Sequence, residues 1–108
     1  MNQVIYCIKP TRLAMLTDGP TEQEAAIIGE HFAYLERLVA ENVVLMAGRT
    51  LNADERTFGI VVFVASSIQK AVELMQNDPA VSRGIMAAEL FPYQVALWSP
   101  KGPPSNQN

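Results

Sequence analysis

Cysteine and histidine each occur once in this chain of 108 residues, as Cys7 and His31. A single cysteine cannot form a disulfide within the chain, and it suits a reducing cytoplasm, where we expect the protein to be. One cysteine and one histidine also fall short of the usual ligands of a structural zinc ion, so no metal site is predicted. Cys7 lies in an apolar, strand-like segment and is interpreted as a small buried side chain.

The chain also lacks long apolar runs, basic stripes and cofactor fingerprints. Its apolar stretches end after about eight residues, whereas a membrane-spanning helix needs about 20, so no membrane contact is predicted. The net charge of −3 argues against a nucleic-acid partner. There is no phosphate-binding loop, dinucleotide fingerprint or nucleophile elbow, so we expect no cofactor. Hydrophobic residues make up 49% of the chain, which is typical of one globular domain with a core.

Four segments are predicted to be strands because they are rich in β-branched and aromatic residues. They are residues 3–8, residues 43–50, residues 58–65 and a part of residues 85–98. Pro92 lies in the last of them and indicates an edge strand or a bulge, since proline donates no ladder hydrogen bond. Residues 9–20 contain two prolines and a glycine and are predicted to be a loop.

Two helices are predicted between these strands. Thr21 and Glu24 form a capping-box signature at the start of the first, which runs to about residue 41. Its apolar face consists of residues at helical spacing: Ala25, Ile28, Phe32, Leu35 and Val39. The second helix ends near Gln76, and a short helical turn follows Asp78 and Pro79. The predicted buried stripe of the second helix contains Ile68, Ala71, Val72 and Met75.

The order β-α-β-β-α-β predicts an α+β, ferredoxin-like fold: a four-stranded antiparallel sheet with two helices on one face. Residues 1–98 would form this domain, and residues 99–108 would be a disordered tail. The two middle strands are apolar on both faces, over residues 43–47 and 60–64. Because two helices can cover only one face, we expect a homodimer in which the open sheet faces of two copies meet.

Five segments, in this order and spacing, resemble the YCII-related (YciI-like) family over nearly the whole domain. They are EHFAYLERL, LMAGRT, FGIVVFVA, DPAVSRGI and AELFPYQVALW. The resemblance implies a dimeric α+β barrel and a site built from the helix histidine and the aspartate of the Asp-Pro turn, here His31 and Asp78. Most members of the family have no established activity, and a few relatives act on small aromatic or lactone-like substrates.

His31 and Asp78 each have a functional and a structural interpretation. A neutral imidazole suits general acid–base catalysis, whereas a histidine at the edge of an apolar helix face also packs as an ordinary core side chain. Asp78 either caps the turn that begins at Pro79 or orients the imidazole of His31. It would do both if one carboxylate oxygen capped the turn and the other faced the histidine.

The remaining candidates are for substrate binding. Arg49 follows Gly48 at the end of a strand, where it either points outward or binds a carboxylate or phenolate ligand. Arg12, Tyr34 and Ser82 are weaker candidates, since a loop arginine is often solvated, a helical tyrosine often packs, and a serine near a helix end often only borders the turn. 

These residues lead to two hypotheses. In the first, a pocket binds a small aromatic or anionic molecule, with His31 as acid–base catalyst, Asp78 as its orienter and Arg49 as an anion clamp. The reaction would be cofactor-free proton transfer, such as isomerisation, elimination or dehydrochlorination. In the second, the domain is a non-catalytic binding or assembly module. A His31 ring sealed under side chains, with Asp78 bonded only to its own turn, would favour the module.

Overall fold

The computed structural model describes residues 2–104, which contain four strands and four helices in the order β-α-α-β-β-α-α-β. The strands are β1 (Asn2–Pro10), β2 (Val44–Arg49), β3 (Gly59–Ala65) and β4 (Met86–Pro92). The helices are α1 (Ala14–Thr17), α2 (Glu22–Ala40), α3 (Ile68–Gln76) and α4 (Pro79–Ser82). The predicted α+β fold with a four-stranded antiparallel sheet is confirmed.

Helix α1 lies in the segment that was predicted to be a loop, and that prediction is wrong for these four residues. The turn forms because Met15 is buried against the start of α2 and α4, in a small cluster with Ile27, Ala80 and Ile85. Tertiary burial thus overrides the local effect of the prolines at both ends of the segment. Met15 and Leu16 of this turn also line the cavity that is described below.

The sheet has the strand order β2-β3-β1-β4, and all neighbouring strands are antiparallel. Strand β4 is therefore an edge strand, and Pro92 is its last residue, in agreement with the sequence. The helices cover the face that carries Val4 and Tyr6 of β1, with Val61 and Phe63 of β3 opposite them. These side chains form the main core, in which the rings of Tyr6 and Phe63 meet edge to face with centroids 5.7 Å apart.

The opposite face of the sheet is covered by none of the helices within residues 2–104, and its middle is apolar. By strand register it contains Ile5 and Cys7 of β1, Ile60 and Val62 of β3, and Phe91 of β4, while the charged side chains of Lys9 and Glu89 lie on the same face. Phe91 keeps 41% of its surface exposed, and Met46 of β2 keeps 42%, whereas Val62 beside Met46 is buried. The apolar residues from which the sequence predicts an open face therefore lie side by side on the sheet.

Helix α2 buries a different face from the predicted one. Phe32 and Val39 are 66% and 47% exposed, whereas Ile27, Leu35 and Leu38 are buried. The buried side is rotated from the predicted apolar stripe by about a quarter of a turn. His31 thus lies one turn after Ile27 and one turn before Leu35, within the buried stripe rather than beside it. In α3, Ile68 is also exposed, although it was predicted to be buried.

Residues 99–104 contain no helix or strand. The last four residues of the predicted tail, 105–108, lie outside the described part of the chain. Of the helices within residues 2–104, none is long and apolar enough to cross a membrane.

Candidate functional site

His31 in α2 contacts Asp78, the residue that precedes α4. The imidazole Nδ1 lies 2.7 Å from Asp78 Oδ1, and only 15% of the histidine side chain is exposed. A second contact joins the same two helices, because Arg83 donates to Glu30 at 3.1 Å. The packing of α4 on α2 therefore brings together the two residues that the family resemblance had singled out.

Asp78 is fully buried, and both of its carboxylate oxygens accept hydrogen bonds. As the N-cap of α4, it accepts from the backbone N–H of Ala80 through Oδ1 at 3.0 Å. The same oxygen faces His31, and Oδ2 accepts from the hydroxyl of Tyr6 at 2.8 Å. The aspartate therefore caps its turn and contacts the histidine at once. The predicted division of one oxygen for each role is wrong, since a single oxygen does both.

Tyr6 is the member of this network that the sequence reasoning missed. It lies in the middle of β1 with none of its surface exposed. The signal was available, because a tyrosine at a buried strand position needs a partner for its hydroxyl. Burial, and after it the charge of Asp78, raises the pKa of Tyr6 far above its ordinary value. The phenol therefore stays protonated and acts as the donor to Asp78.

The contact with Asp78 selects one tautomer of a neutral His31 imidazole when the carboxylate is ionised. An ionised carboxylate only accepts hydrogen bonds, and Asp78 already receives a hydroxyl and a backbone N–H. The neutral imidazole must then carry its proton on Nδ1 and donate it to Oδ1, which leaves Nε2 unprotonated. Within residues 2–104, Nε2 has no hydrogen-bond partner, and no buried side-chain nitrogen or oxygen is left unpaired. Nε2 is therefore accessible to solvent.

His31 also lines a cavity of about 650 Å³ between α2 and the sheet. Most of its wall is apolar, and the residues that were misassigned to the core side of α2, among them Phe32 and Val39, form part of it. The polar side chains in the wall are few: His31, Glu36, Arg49 and Thr57. Such a space, apolar with a few polar groups, is typical of a site for a small organic molecule.

Arg49 is the last residue of β2 and lies in the wall of this cavity. It makes no salt bridge with any carboxylate in residues 2–104, whereas Arg12, Arg37, Arg56 and Arg83 each make one. Gly48, which precedes it, leaves room beside the backbone, because a Cβ there would meet no atom within 4 Å. Arg49 thus presents an unneutralised guanidinium to the same space as the imidazole.

Comparison with known proteins identifies the family. The sequence model of the YCII-related domain matches residues 2–94. The chain belongs to the YCII-related family. The family predicted from the five segments is therefore confirmed, and a search of curated proteins found no match.

Among solved structures, the YCII-related chain is similar to 5-chloro-2-hydroxyhydroquinone dehydrochlorinase from Burkholderia phenoliruptrix, in complex with 2,5-dihydroxybenzoquinone. The two are 21% identical, with a TM-score of 0.62, and the match covers 84% of this chain and 93% of the other. At this identity the likeness supports the fold. It agrees with the α+β architecture described above.

Three further candidates of the YCII-related chain lie away from the cavity wall. Arg12 forms a two-pronged ion pair with Glu24, through Nε at 2.9 Å and through Nη2. Tyr34 donates its hydroxyl to the backbone carbonyl of Leu74 at 2.7 Å. Ser82 is exposed at the end of α4. The structure gives the first two of these side chains partners within the domain.

Glu24 is the carboxylate at which the loop and the start of α2 meet. The Arg12 guanidinium, and after it the backbone N–H of Thr21, lowers the pKa of Glu24 to about 2. The predicted capping box is confirmed, because Thr21 accepts from the Glu24 backbone N–H and donates its own backbone N–H to the Glu24 carboxylate. Arg12 thus fixes the segment that carries α1.

Across residues 2–104, no cluster of three or more His, Cys, Asp or Glu could hold a metal ion.

Proposed function

We propose that this YCII-related domain binds a small aromatic or anionic organic molecule and transfers a proton to or from it with His31, without a cofactor. One observation carries the proposal: the imidazole of His31 contacts a buried carboxylate, and the same residue lines an apolar cavity. The proposal keeps a cytoplasmic location, which rests on the unpaired Cys7.

The chemistry follows from the two ring nitrogens. Nε2 accepts a proton from a bound molecule, and the imidazolium that forms keeps its Nδ1–H on Asp78. The negative charge of Asp78 stabilises this cation, and the cap on α4 keeps the carboxylate in place. In an elimination, the base removes a proton while the leaving group departs with its bonding electrons, so the step needs no oxidant or reductant. In an isomerisation, Nε2 returns the same proton to another atom.

The position of Arg49 favours a negatively charged ligand. Its guanidinium shares the cavity with His31 and has no carboxylate partner in the described part of the chain. A phenolate or carboxylate bound there would be oriented by charge-assisted hydrogen bonds, while the apolar wall takes the body of the molecule. The solved relative supports the same ligand class, because it is a dehydrochlorinase in complex with a dihydroxybenzoquinone.

The geometry argues against the alternative of a non-catalytic module. That hypothesis expects a sealed His31 ring and an Asp78 bonded only to its own turn. Asp78 instead bonds His31 and Tyr6 as well, and His31 lies in the cavity wall. A group held in this way and left accessible on one side suits proton transfer better than a purely structural contact.

Turnover with and without the imidazole tests the proposal. The probes are 2,5-dihydroxybenzoquinone for binding, by calorimetry, and 5-chloro-2-hydroxyhydroquinone for turnover, by chloride release. We expect the intact chain to bind the first, and chloride release from the second to fall at least about 100-fold in His31→Gln. Lys70→Gln, on the exposed side of α3, is the matched control. Equal rates in His31→Gln and in the control would contradict the proposal.

The domain is also proposed to act as a homodimer, in which the open sheet faces of two copies meet. The middle of the face is apolar, with Ile5, Val62 and Phe91 in adjacent register, and Glu89 lies beside it, opposite Cys7. A patch of this kind on a small domain is typical of an interface between subunits. The cavity lies on the other face, beneath α2, so the proposed pairing leaves it open.

A further inference from the structure

Tyr6 contacts the candidate site from the sheet side, and the proton transfer proposed above does not use it. Its hydroxyl donates to Asp78 Oδ2, the oxygen that makes no contact with His31. Its ring is fixed in the core by the edge-to-face contact with Phe63. Three elements therefore meet at one carboxylate: β1 through Tyr6, α2 through His31 and α4 through its own cap.

Two consequences follow for Asp78. A donor on Oδ2 stops the carboxylate from rotating, so that Oδ1 stays directed at the imidazole. The same donor withdraws part of the negative charge toward Oδ2, which makes Oδ1 a weaker attractor of a proton. A weaker Oδ1 stabilises the imidazolium of His31 less.

We propose that Tyr6 is a positioning residue for His31, which acts through Asp78 to hold the imidazole in its Nδ1-protonated form and to keep Nε2 free to accept a proton. This inference rests on the proposed function, because a free Nε2 has a role only if the site transfers protons. Burial keeps the phenol protonated, so the donor role of Tyr6 does not change through the neutral range.

Other ionisable groups surround this site. A carboxylate of α2 and the guanidinium at the end of β2 line the same cavity as His31, a second phenol feels the charge of Asp78, and an ion pair joins α2 to the residue after α4. They are Glu36, Arg49, Tyr34 and the pair Glu30–Arg83. None of them bonds Asp78 or His31 within residues 2–104, so a change confined to Tyr6 leaves their positions and charges as they are.

The test follows the titration of His31 by NMR in the ligand-free chain. Because the chain has a single histidine, labelling histidine with nitrogen-15 gives signals from one imidazole only. In Tyr6→Phe, Asp78 regains its full charge, and the histidine–aspartate pair holds its proton to higher pH. We expect the midpoint of the titration to rise by about half to one pH unit relative to the unsubstituted chain.

Two further proteins make the result decisive. Tyr93→Phe makes the same chemical change at a tyrosine that is 43% exposed beyond β4, and it should leave the midpoint unchanged. Replacing Tyr6 by 3-fluorotyrosine, a more acidic phenol of nearly the same shape, should lower the midpoint, and it keeps the test available if Tyr6→Phe does not fold. A midpoint that is unchanged or moves the opposite way in the Tyr6 proteins overturns the inference.

This measurement separates the inference from the proposed function, because it needs no substrate. A shifted midpoint together with turnover that survives His31→Gln would keep the role of Tyr6 and reject the catalytic role of His31. An unchanged midpoint together with lost turnover in His31→Gln would reject the role of Tyr6 and keep the catalytic role of His31.

Discussion

His31 and Asp78 lie 47 positions apart in the sequence, yet Nδ1 of one is 2.7 Å from Oδ1 of the other. The contact is made in the interior, where Asp78 has no exposed surface. A hydrogen bond to a buried charged group is stronger than one at the surface, and it is costly to leave such a group without its partners. The pair therefore links α2 to α4 and, through Tyr6, to the sheet.

Asp78→Asn should destabilise the fold. Tyr6, His31 and the Ala80 N–H all direct donors at the carboxylate, and an amide offers one oxygen and two further N–H groups. One donor would then face another donor in the interior, at a cost of about 1–3 kcal/mol in the free energy of unfolding. Urea denaturation measures this loss in the free energy of unfolding. Asp18→Asn, at an exposed position after α1, is the control and should change stability by less than about 0.5 kcal/mol.

The Arg12–Glu24 pair should make stability depend on pH in the acid range. The folded-state pKa of Glu24 is about 2, below its ordinary value of 4.5. A carboxylate with a lowered pKa stabilises the fold fully above the unfolded value, and this contribution disappears as the pH falls from about 4.5 toward 2. Arg12→Ala should therefore be less stable than the original chain above pH 5, and the two should converge near pH 2. Thermal unfolding across this range measures the difference, and a gap that widens toward low pH would refute this assignment.

Arg49→Gln should weaken the binding of an anionic ligand. The guanidinium is the cation in the cavity wall and has no carboxylate partner among the described residues. Losing one charge-assisted hydrogen bond should reduce the affinity for 2,5-dihydroxybenzoquinone by about 10- to 100-fold. Arg37→Gln, at an exposed arginine of α2 paired with Glu41, is the matched control for the change in net charge. Equal losses in both variants would indicate a general charge effect and no specific contact.

Phe91→Glu should prevent dimer formation. The side chain lies on the open sheet face beside Ile5, and a carboxylate buried between two apolar sheets would lose its hydration without gaining a partner. Light scattering should report a dimer for the original chain and a monomer for this variant. Ile68→Glu, at a 51% exposed apolar position on the helical side, should remain a dimer. If light scattering reports a monomer for the original chain at micromolar concentration, the proposed dimer is wrong.

The sequence predicts the fold well because its signals are local. The capping residue Thr21 begins α2 in the structure, and Asp78 with Pro79 begins the short turn, as the sequence predicts. The rotation of α2 was not predictable in the same way. Apolar residues lie on both sides of this helix, and periodicity alone does not tell a core wall from a cavity wall. Phe32 was therefore assigned to the core, although it borders the cavity.

The site could be predicted in part. A resemblance in five segments singled out His31 and Asp78, but no spacing rule brings Tyr6 of β1 to the same carboxylate. That contact depends on the strand order, which places β1 in the middle of the sheet, and on the packing of α4 against α2. Arg12 and Tyr34 were reasonable candidates by residue type. Their partners, Glu24 and the Leu74 carbonyl, are set by the loop and by α3, whose positions only the tertiary structure gives.

Proton transfer by His31 requires an unprotonated Nε2 while Asp78 holds the Nδ1–H. Nitrogen-15 NMR of the single imidazole, at a pH above its titration, distinguishes the two neutral tautomers. We expect the Nδ1-protonated form, with Nε2 at the chemical shift of an unprotonated ring nitrogen. The Nε2-protonated form, or an even mixture of the two, would contradict it.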